Sequence, residues 1–255
     1  MKRHKLRIPL WIFGALSLAS SPATGAGAQQ AGFNRAATTQ KVVALTFDAD
    51  MTPGMLRELK SGKVASWYNE NVIAILRKER VPATLFLTGL WIETYPAATR
   101  NLSGDPLFEL GNHSYSHGGF RLPCYGLSAI GKSSETAEVQ KTDALLKKHA
   151  TAFRKYFRFP GLCSAADNVR NVEAQGYTVI GGDVHGGDGF ERNPARIALG
   201  VAGHVRPGSI VVLHLHGGPN APQTANALPK IIGKLRARGY TFVKISDLLK
   251  LRAGV

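Results

Sequence analysis

The stretch Val42-Val43-Ala44-Leu45-Thr46-Phe47-Asp48-Ala49-Asp50 runs a short apolar strand straight into two carboxylates. A strand that reads as a near-continuous apolar run is covered on both faces, as in parallel sheets flanked by helices. Downstream, strand-like and helix-like segments alternate. Further strands are predicted over 83–87, 106–110, 157–159, 177–180, 209–213 and 240–243. Helices are predicted over 66–80, 134–149, 167–175, 194–204 and 227–238, with a final short one capped by Ser246. Pro194 suits the first turn of its helix, and Gly176 suits a helix stop. About seven β/α units follow, so the fold class is α/β with parallel strands and crossover helices. A barrel and an open doubly wound sheet both satisfy this pattern. In either, functional groups gather at the carboxyl ends of the strands.

The polar residues of interest fall at those ends, apart from Asp188 in a loop beyond. Asp48 and Asp50 follow the first strand; such carboxylates serve as general bases or metal ligands, or else as turn and helix caps. His113-Ser114-Tyr115-Ser116-His117 follows the third strand, and histidines at i and i+4 on one helical turn can chelate one cation. Neutral imidazole suits Zn²⁺, and a carboxylate is expected to complete three protein ligands. Arg158 follows the fourth strand, where a fixed guanidinium holds a carboxylate ionised. A glycine-dense run, 181–189, follows the fifth and reads as a ligand approach or a mobile loop. In His214-Leu215-His216, alternation puts both imidazoles on one face, so one can protonate a leaving group while the other lines the rim. The alternative is a hydrogen-bonded core histidine. A base, a metal site, an orienting arginine and an acid at successive strand ends are what metal-assisted hydrolysis of an amide or ester requires.

Composition narrows the setting. The first 28 residues combine a basic start (Lys2, Arg3, Lys5, Arg7), an apolar run over 8–18 and the small residues Ala26-Gly27-Ala28. That is the pattern of a secretory signal cut after Ala28, the run being short for a spanning helix, which needs roughly 20 residues; an uncleaved membrane anchor is the alternative. Residues 29–40 read as a flexible leader and 41–255 as one catalytic domain. The expected location is therefore periplasmic or extracellular, with no stable membrane insertion after cleavage and a monomeric state. The net charge is +15, four of it before Ala28, leaving +11. A basic surface favours polyanions, but export and the lack of an interleaved basic-aromatic motif exclude nucleic acid. Cys124 and Cys163 either pair in an oxidising compartment or remain two buried thiols.

Four stretches together carry a resemblance: Leu45-Thr46-Phe47-Asp48, His113-Ser114-Tyr115-Ser116-His117, Arg158-Phe159-Pro160 and Gly208-Ser209-Ile210-Val211-Val212-Leu213-His214. In order and spacing the chain resembles the polysaccharide deacetylases with the NodB-homology domain, carbohydrate esterase family 4, from about residue 41 to about 249. The resemblance implies a distorted (β/α)7 barrel, a divalent metal that is usually zinc, and a carbohydrate polymer as partner. It implies Asp48 as general base, His113 and His117 as metal ligands, Arg158 as the arginine steadying the base, His214 as the acid and Asp183 as the aspartate tuning that acid. Tyr115, Phe159, Pro160 and His216 are expected to line the substrate site. The chain departs from the pattern at Ala49, where the family carries a metal-binding aspartate, so Asp50, or else a water, is expected to supply the third ligand. It also has Gly161-Leu162 where an aromatic-Gly pair is common. The function expected is N- or O-deacetylation of a polysaccharide. An amidase acting away from sugars and an inactive carbohydrate-binding relative are the alternatives.

Overall fold

The computed structural model describes residues 32–252, so the expected export signal lies outside the described residues. The chain runs β1 (Val42–Ala49), α1 (Pro53–Lys60), α2 (Glu70–Glu79), β2 (Ala83–Leu87), α3 (Gly89–Thr94), α4 (Pro96–Gly104) and β3 (Phe108–Asn112). After a long loop come α5 (Glu135–His149), β4 (Tyr156–Phe157), α6 (Ala166–Glu173), β5 (Thr178–Val179) and β6 (Val184–His185). The last part is α7 (Pro194–His204), β7 (Ser209–His214), α8 (Thr224–Ala237), β8 (Thr241–Phe242) and α9 (Ile245–Arg252). Local chemistry sets several starts. Thr52 accepts the Met55 amide ahead of Pro53 in α1, and Asn193 accepts those of Ala195 and Arg196 ahead of Pro194 in α7.

The strands form one curled parallel sheet in the order β5-β4-β3-β2-β1-β7-β6, with β8 paired to the first residues of β1. Its register decides where the site is. Ala49 pairs with Leu87, Leu87 with Asn112, and Asn112 with Phe157, while Asp48 pairs with His214. These strands therefore end in one row, and the residues that follow them emerge on one rim. Alternation sorts the faces. Val43, Leu45, Phe47 and Ala49 join Val211, Leu213 and Leu215 in the large apolar core with α2, α7 and α8. Ala44, Thr46 and Asp48 face the inside of the curl, where Ala44 packs with Phe86, Ile180 and Ile210. Trp67 and Trp91 are fully buried in the outer core, each indole N–H donating to a backbone carbonyl at 2.8 Å.

The segment read as a flexible leader departs from expectation from residue 33 on. Phe33 lies beside Ile180, donating its amide to Val179 and accepting from Gly181, while Arg35 bridges Ser209 and Ala36 donates to Gly208. Residues 33–36 thus lace the β5 edge to the start of β7 and close the curl there. Phe33 and Ala36 are buried among Ala44, Phe86 and Leu248. Two buried apolar side chains and three backbone hydrogen bonds offset the entropy that would keep a polar leader free. The sequence expectation also lacks β6, α1, α3 and α4, short elements whose apolar periodicity is brief or broken.

Candidate metal and acid–base site

The rim holds two carboxylates from the end of β1. Asp48 Oδ1 accepts from Arg158 Nη1 at 2.7 Å, and both side chains are buried. Arg158 is tied on every side. It also donates to Thr46 Oγ1 and to the carbonyls of Ile180 and Gly181, and its guanidinium lies 4.1 Å over the Phe86 ring. Burial lowers its pKa from the ordinary arginine value, and the Asp48 charge opposes that. A buried pair of this kind persists because each charge is compensated and hydrogen-bonded.

Asp50 returns to the pocket face. Its Oδ1 is 3.4 Å from His113 Nε2 and 3.3 Å from His117 Nε2, and one ligand atom from each residue lies within 4.8 Å of the others. His113 Nδ1 is 2.9 Å from the Arg158 carbonyl, which leaves Nε2 for the pocket. Burial works against the Asp50 charge, but the facing imidazoles of His117 and His113 outweigh it and hold the carboxyl well below the ordinary range. Burial likewise lowers His113, and Asp48 with Asp50 outweigh it, raising the imidazole. Asp50 Oδ1 and His117 Nδ1 are buried without a hydrogen-bond partner. Buried polar atoms left open are rare unless something else fills them. Two imidazoles and a carboxylate whose inner oxygen is orphaned fit a divalent cation with an open fourth position.

The two histidines are not on a helical turn, as their spacing suggests. Ser114 and His117 both have left-handed φ, 66° and 56°, and His113 to His117 form a tight loop. Glu138 on α5 clamps it, accepting from the amides of Tyr115 and Ser116 and from Ser116 Oγ, while Asn112 Oδ1 accepts from Ser114 N. The first amides of α3, Gly89 and Leu90, donate to the carbonyls of Ser114 and Tyr115. A Cβ on Gly89 would meet the Tyr115 ring at 2.3 Å, so this close approach requires glycine. The imidazole rings end 4.9 Å apart.

On the opposite side, His214 Nδ1 is 2.9 Å from Asp188 Oδ1, and Asp188 Oδ2 accepts from His214 N and Thr224 Oγ1. Burial lowers the His214 pKa, but the Asp188 charge outweighs it and pushes the imidazole up to about 10. His214 Nε2 is 3.9 Å from Asp50 Oδ2. His216 Nδ1 is 3.5 Å from that same oxygen, and burial pulls its pKa down to about 4, so it is neutral.

A family model for polysaccharide deacetylases matches residues 35–180. The chain belongs to this family. Among polysaccharide deacetylases it is 28% identical over 218 residues to a peptidoglycan-N-acetylglucosamine deacetylase of Bacillus cereus, covering 84% of this chain and 90% of that protein. A family 4 acetyl xylan esterase from Clostridium thermocellum, solved with cobalt, is 28% identical with a TM-score of 0.66 over 84% of this chain and 92% of that one. A family 4 pseudoenzyme from Bacillus anthracis is 25% identical with a TM-score of 0.69 over 86% and 69%. The curled sheet is the (β/α)7 half-barrel of these relatives, and the family match begins inside the segment expected to be a free leader.

The deacetylase pocket brings together Asp48, Asp50, His113, His117, Arg158, His214 and His216. Four expected residues fall elsewhere. Asp183 is not the partner of His214. Its carboxylate accepts from Ser209 Oγ and Ile210 N at the opposite end of β7, with Arg35 and Arg206 nearby. Five residues of strand separate the two places, about 16 Å at 3.3 Å per residue. Chain 183–188 climbs parallel to β7, so Asp183 sits at the foot and Asp188 at the rim. Phe159 packs against Phe120 and Phe157 under α5 and α6, and Pro160 is buried behind it. Tyr115 donates its hydroxyl to Glu93 and lies under Lys141, so its contacts are with α3 and α5. Cys124 and Cys163 are joined in a disulfide that ties the loop after β3 to the turn after β4.

Proposed function

We propose that the chain is an exported hydrolase that removes acetyl groups from a cell-wall or other extracellular polysaccharide, with zinc held by Asp50, His113 and His117. The observation that carries this is the arrangement of two opposed ion pairs, Asp48 with Arg158 and His214 with Asp188, on either side of that trio. The peptidoglycan deacetylases among the relatives support the cell-wall polymer. Among the described residues no helix is long and apolar enough to cross a membrane.

When bound, the cation supplies Lewis-acid polarisation of the acetyl carbonyl and acidifies a nearby water. Asp48, held in place by the Arg158 hydrogen bond, takes a proton from the attacking water as the water oxygen bonds to the carbonyl carbon. His214, protonated because Asp188 faces its Nδ1, gives its Nε2 proton to the departing sugar nitrogen or oxygen as the bond to the acetyl carbon breaks. The products are acetate and a free amine or hydroxyl. His113 is oriented by the Arg158 carbonyl, which couples the base and the ligand set through one residue. His216 stands beside the outer oxygen of Asp50, its Nδ1 3.5 Å away, at the edge of the ligand set.

The test is acetate release from peptidoglycan, chitin oligomers and acetylated xylan by the purified protein beside Asp48→Asn and His214→Ala. Each substitution is expected to lower turnover by roughly 100- to 10,000-fold with the fold retained by circular dichroism. Full activity in both variants overturns the assignment. Ala49 and the pseudoenzyme relative favour a second reading, a carbohydrate-binding protein without catalysis; oligosaccharide binding with no acetate from any polymer and no retained metal would select it.

A further inference from the structure

Among the described residues, Leu122, Tyr125, Phe190 and Leu199 are large apolar side chains left exposed. Leu199 lies apart on α7, but Tyr125 and Phe190 meet. Their rings come from loops 65 residues apart in sequence, are 72% and 74% exposed, and stand 5.7 Å centre to centre with planes tilted by 36°. Exposed aromatic rings in water gain little unless something covers them, and a paired patch marks a contact surface.

Both loops are held in place next to the reacting groups. Tyr125 follows Cys124, whose disulfide to Cys163 pins it to the turn after Arg158, and its ring lies 3.1 Å from where a Cβ of Gly161 would stand. The loop itself is braced by the bridge between Gly119 and Ala129. Phe190 follows Gly189, which packs against the His214 ring, a Cβ there lying 3.5 Å from Cε1. Two residues before Phe190, the buried Asp188 holds His214. The ring pair therefore sits at a set position on the rim, beside the acid and the turn that carries the arginine.

We propose that Tyr125 and Phe190 form a stacking platform for a sugar ring adjoining the one that loses its acetyl group. This rests on the polysaccharide reading above. A pyranose whose hydroxyls are equatorial presents flat C–H faces, which pack on the negative face of an aromatic ring as the rim groups of a polymer-binding site would. A polymer extending from the reacting sugar must cross the rim, and this is where the rim is apolar. Two rings set at an angle suit neighbouring sugars that are turned relative to one another.

The test titrates the full-length protein and a Tyr125→Ala/Phe190→Ala double variant with chitopentaose, xylohexaose and peptide-free peptidoglycan strands by calorimetry, beside their turnover of para-nitrophenyl acetate. Binding is read without catalysis, so an inactive protein does not decide the outcome. The expected result is roughly 10- to 100-fold weaker binding of the best oligomer, by analogy with ring stacking elsewhere. Ester turnover and melting temperature should be unchanged, and Tyr125→Phe should bind like the parent. Equal affinity in the double variant overturns the platform, as does binding of none of the three oligomers by the parent.

Discussion

The two halves of the pocket are built differently. On the acid–base side every charge has a partner within the protein: Arg158 donates to Asp48 Oδ1 and to the neighbouring Thr46 hydroxyl, and Asp188 holds His214 through its ring and its backbone. On the ligand side Asp50 and His117 keep buried atoms open, and the loop that carries the histidines is clamped from outside by Glu138, Asn112 and α3. The first half is set by folding alone. The second is shaped by folding but left incomplete, with one ligand atom each from Asp50, His113 and His117 within 4.8 Å of one another. Groups that must change protonation are best preorganised by fixed dipoles and charges, whereas a ligand set gains its last bonds from the ion.

Breaking the incomplete half should give the largest effect on metal. Asp50→Ala removes the carboxylate that stands between His113 and His117, and zinc affinity measured by chelator competition should fall by more than about 100-fold, beyond the range for residues that merely orient ligands. Retained affinity would move the third ligand away from Asp50. A smaller loss, about 10- to 100-fold, is expected for His216→Leu, which leaves Asp50 Oδ2 without its facing imidazole. His216→Asn, whose amide can occupy the Nδ1 position, should recover most of it; equal loss in both would make His216 a packing residue only. Subtlest is Asp188→Asn on the complete half. The Asp188 charge keeps the proton on His214 up to about pH 10 against the pull of burial. Removing that charge lowers the folded pKa, so the acid form is lost at lower pH and the alkaline limb of kcat/KM should move down towards neutrality. An unmoved limb would separate the proton-donating group from His214.

Much of this was legible in the chain because strands announce themselves by short apolar runs, and polar residues after such runs emerge at one rim. Asp48, Asp50, His113, Arg158 and His214 can be read that way, and a parallel register brings them into one pocket without further information. Ala49 also yields to strand period: it points away from Asp48 into the outer core, whereas Asp50 regains the pocket face. The sequence alone determined the α/β alternation, the chemistry of the rim residues and the order in which they arrive. Tertiary structure decided the rest. It chose Asp188 over Asp183, because which end of β7 each carboxylate meets depends on β6 pairing with β7. It turned Tyr115 and Phe159 into packing, through partners on α3, α5 and the Phe120 loop. It recruited Phe33 and Ala36 to close the sheet, and it set Tyr125 against Phe190. Each of those outcomes rests on contacts between distant segments, whose free energy depends on what the folded chain places opposite a residue and not on the residues beside it in sequence.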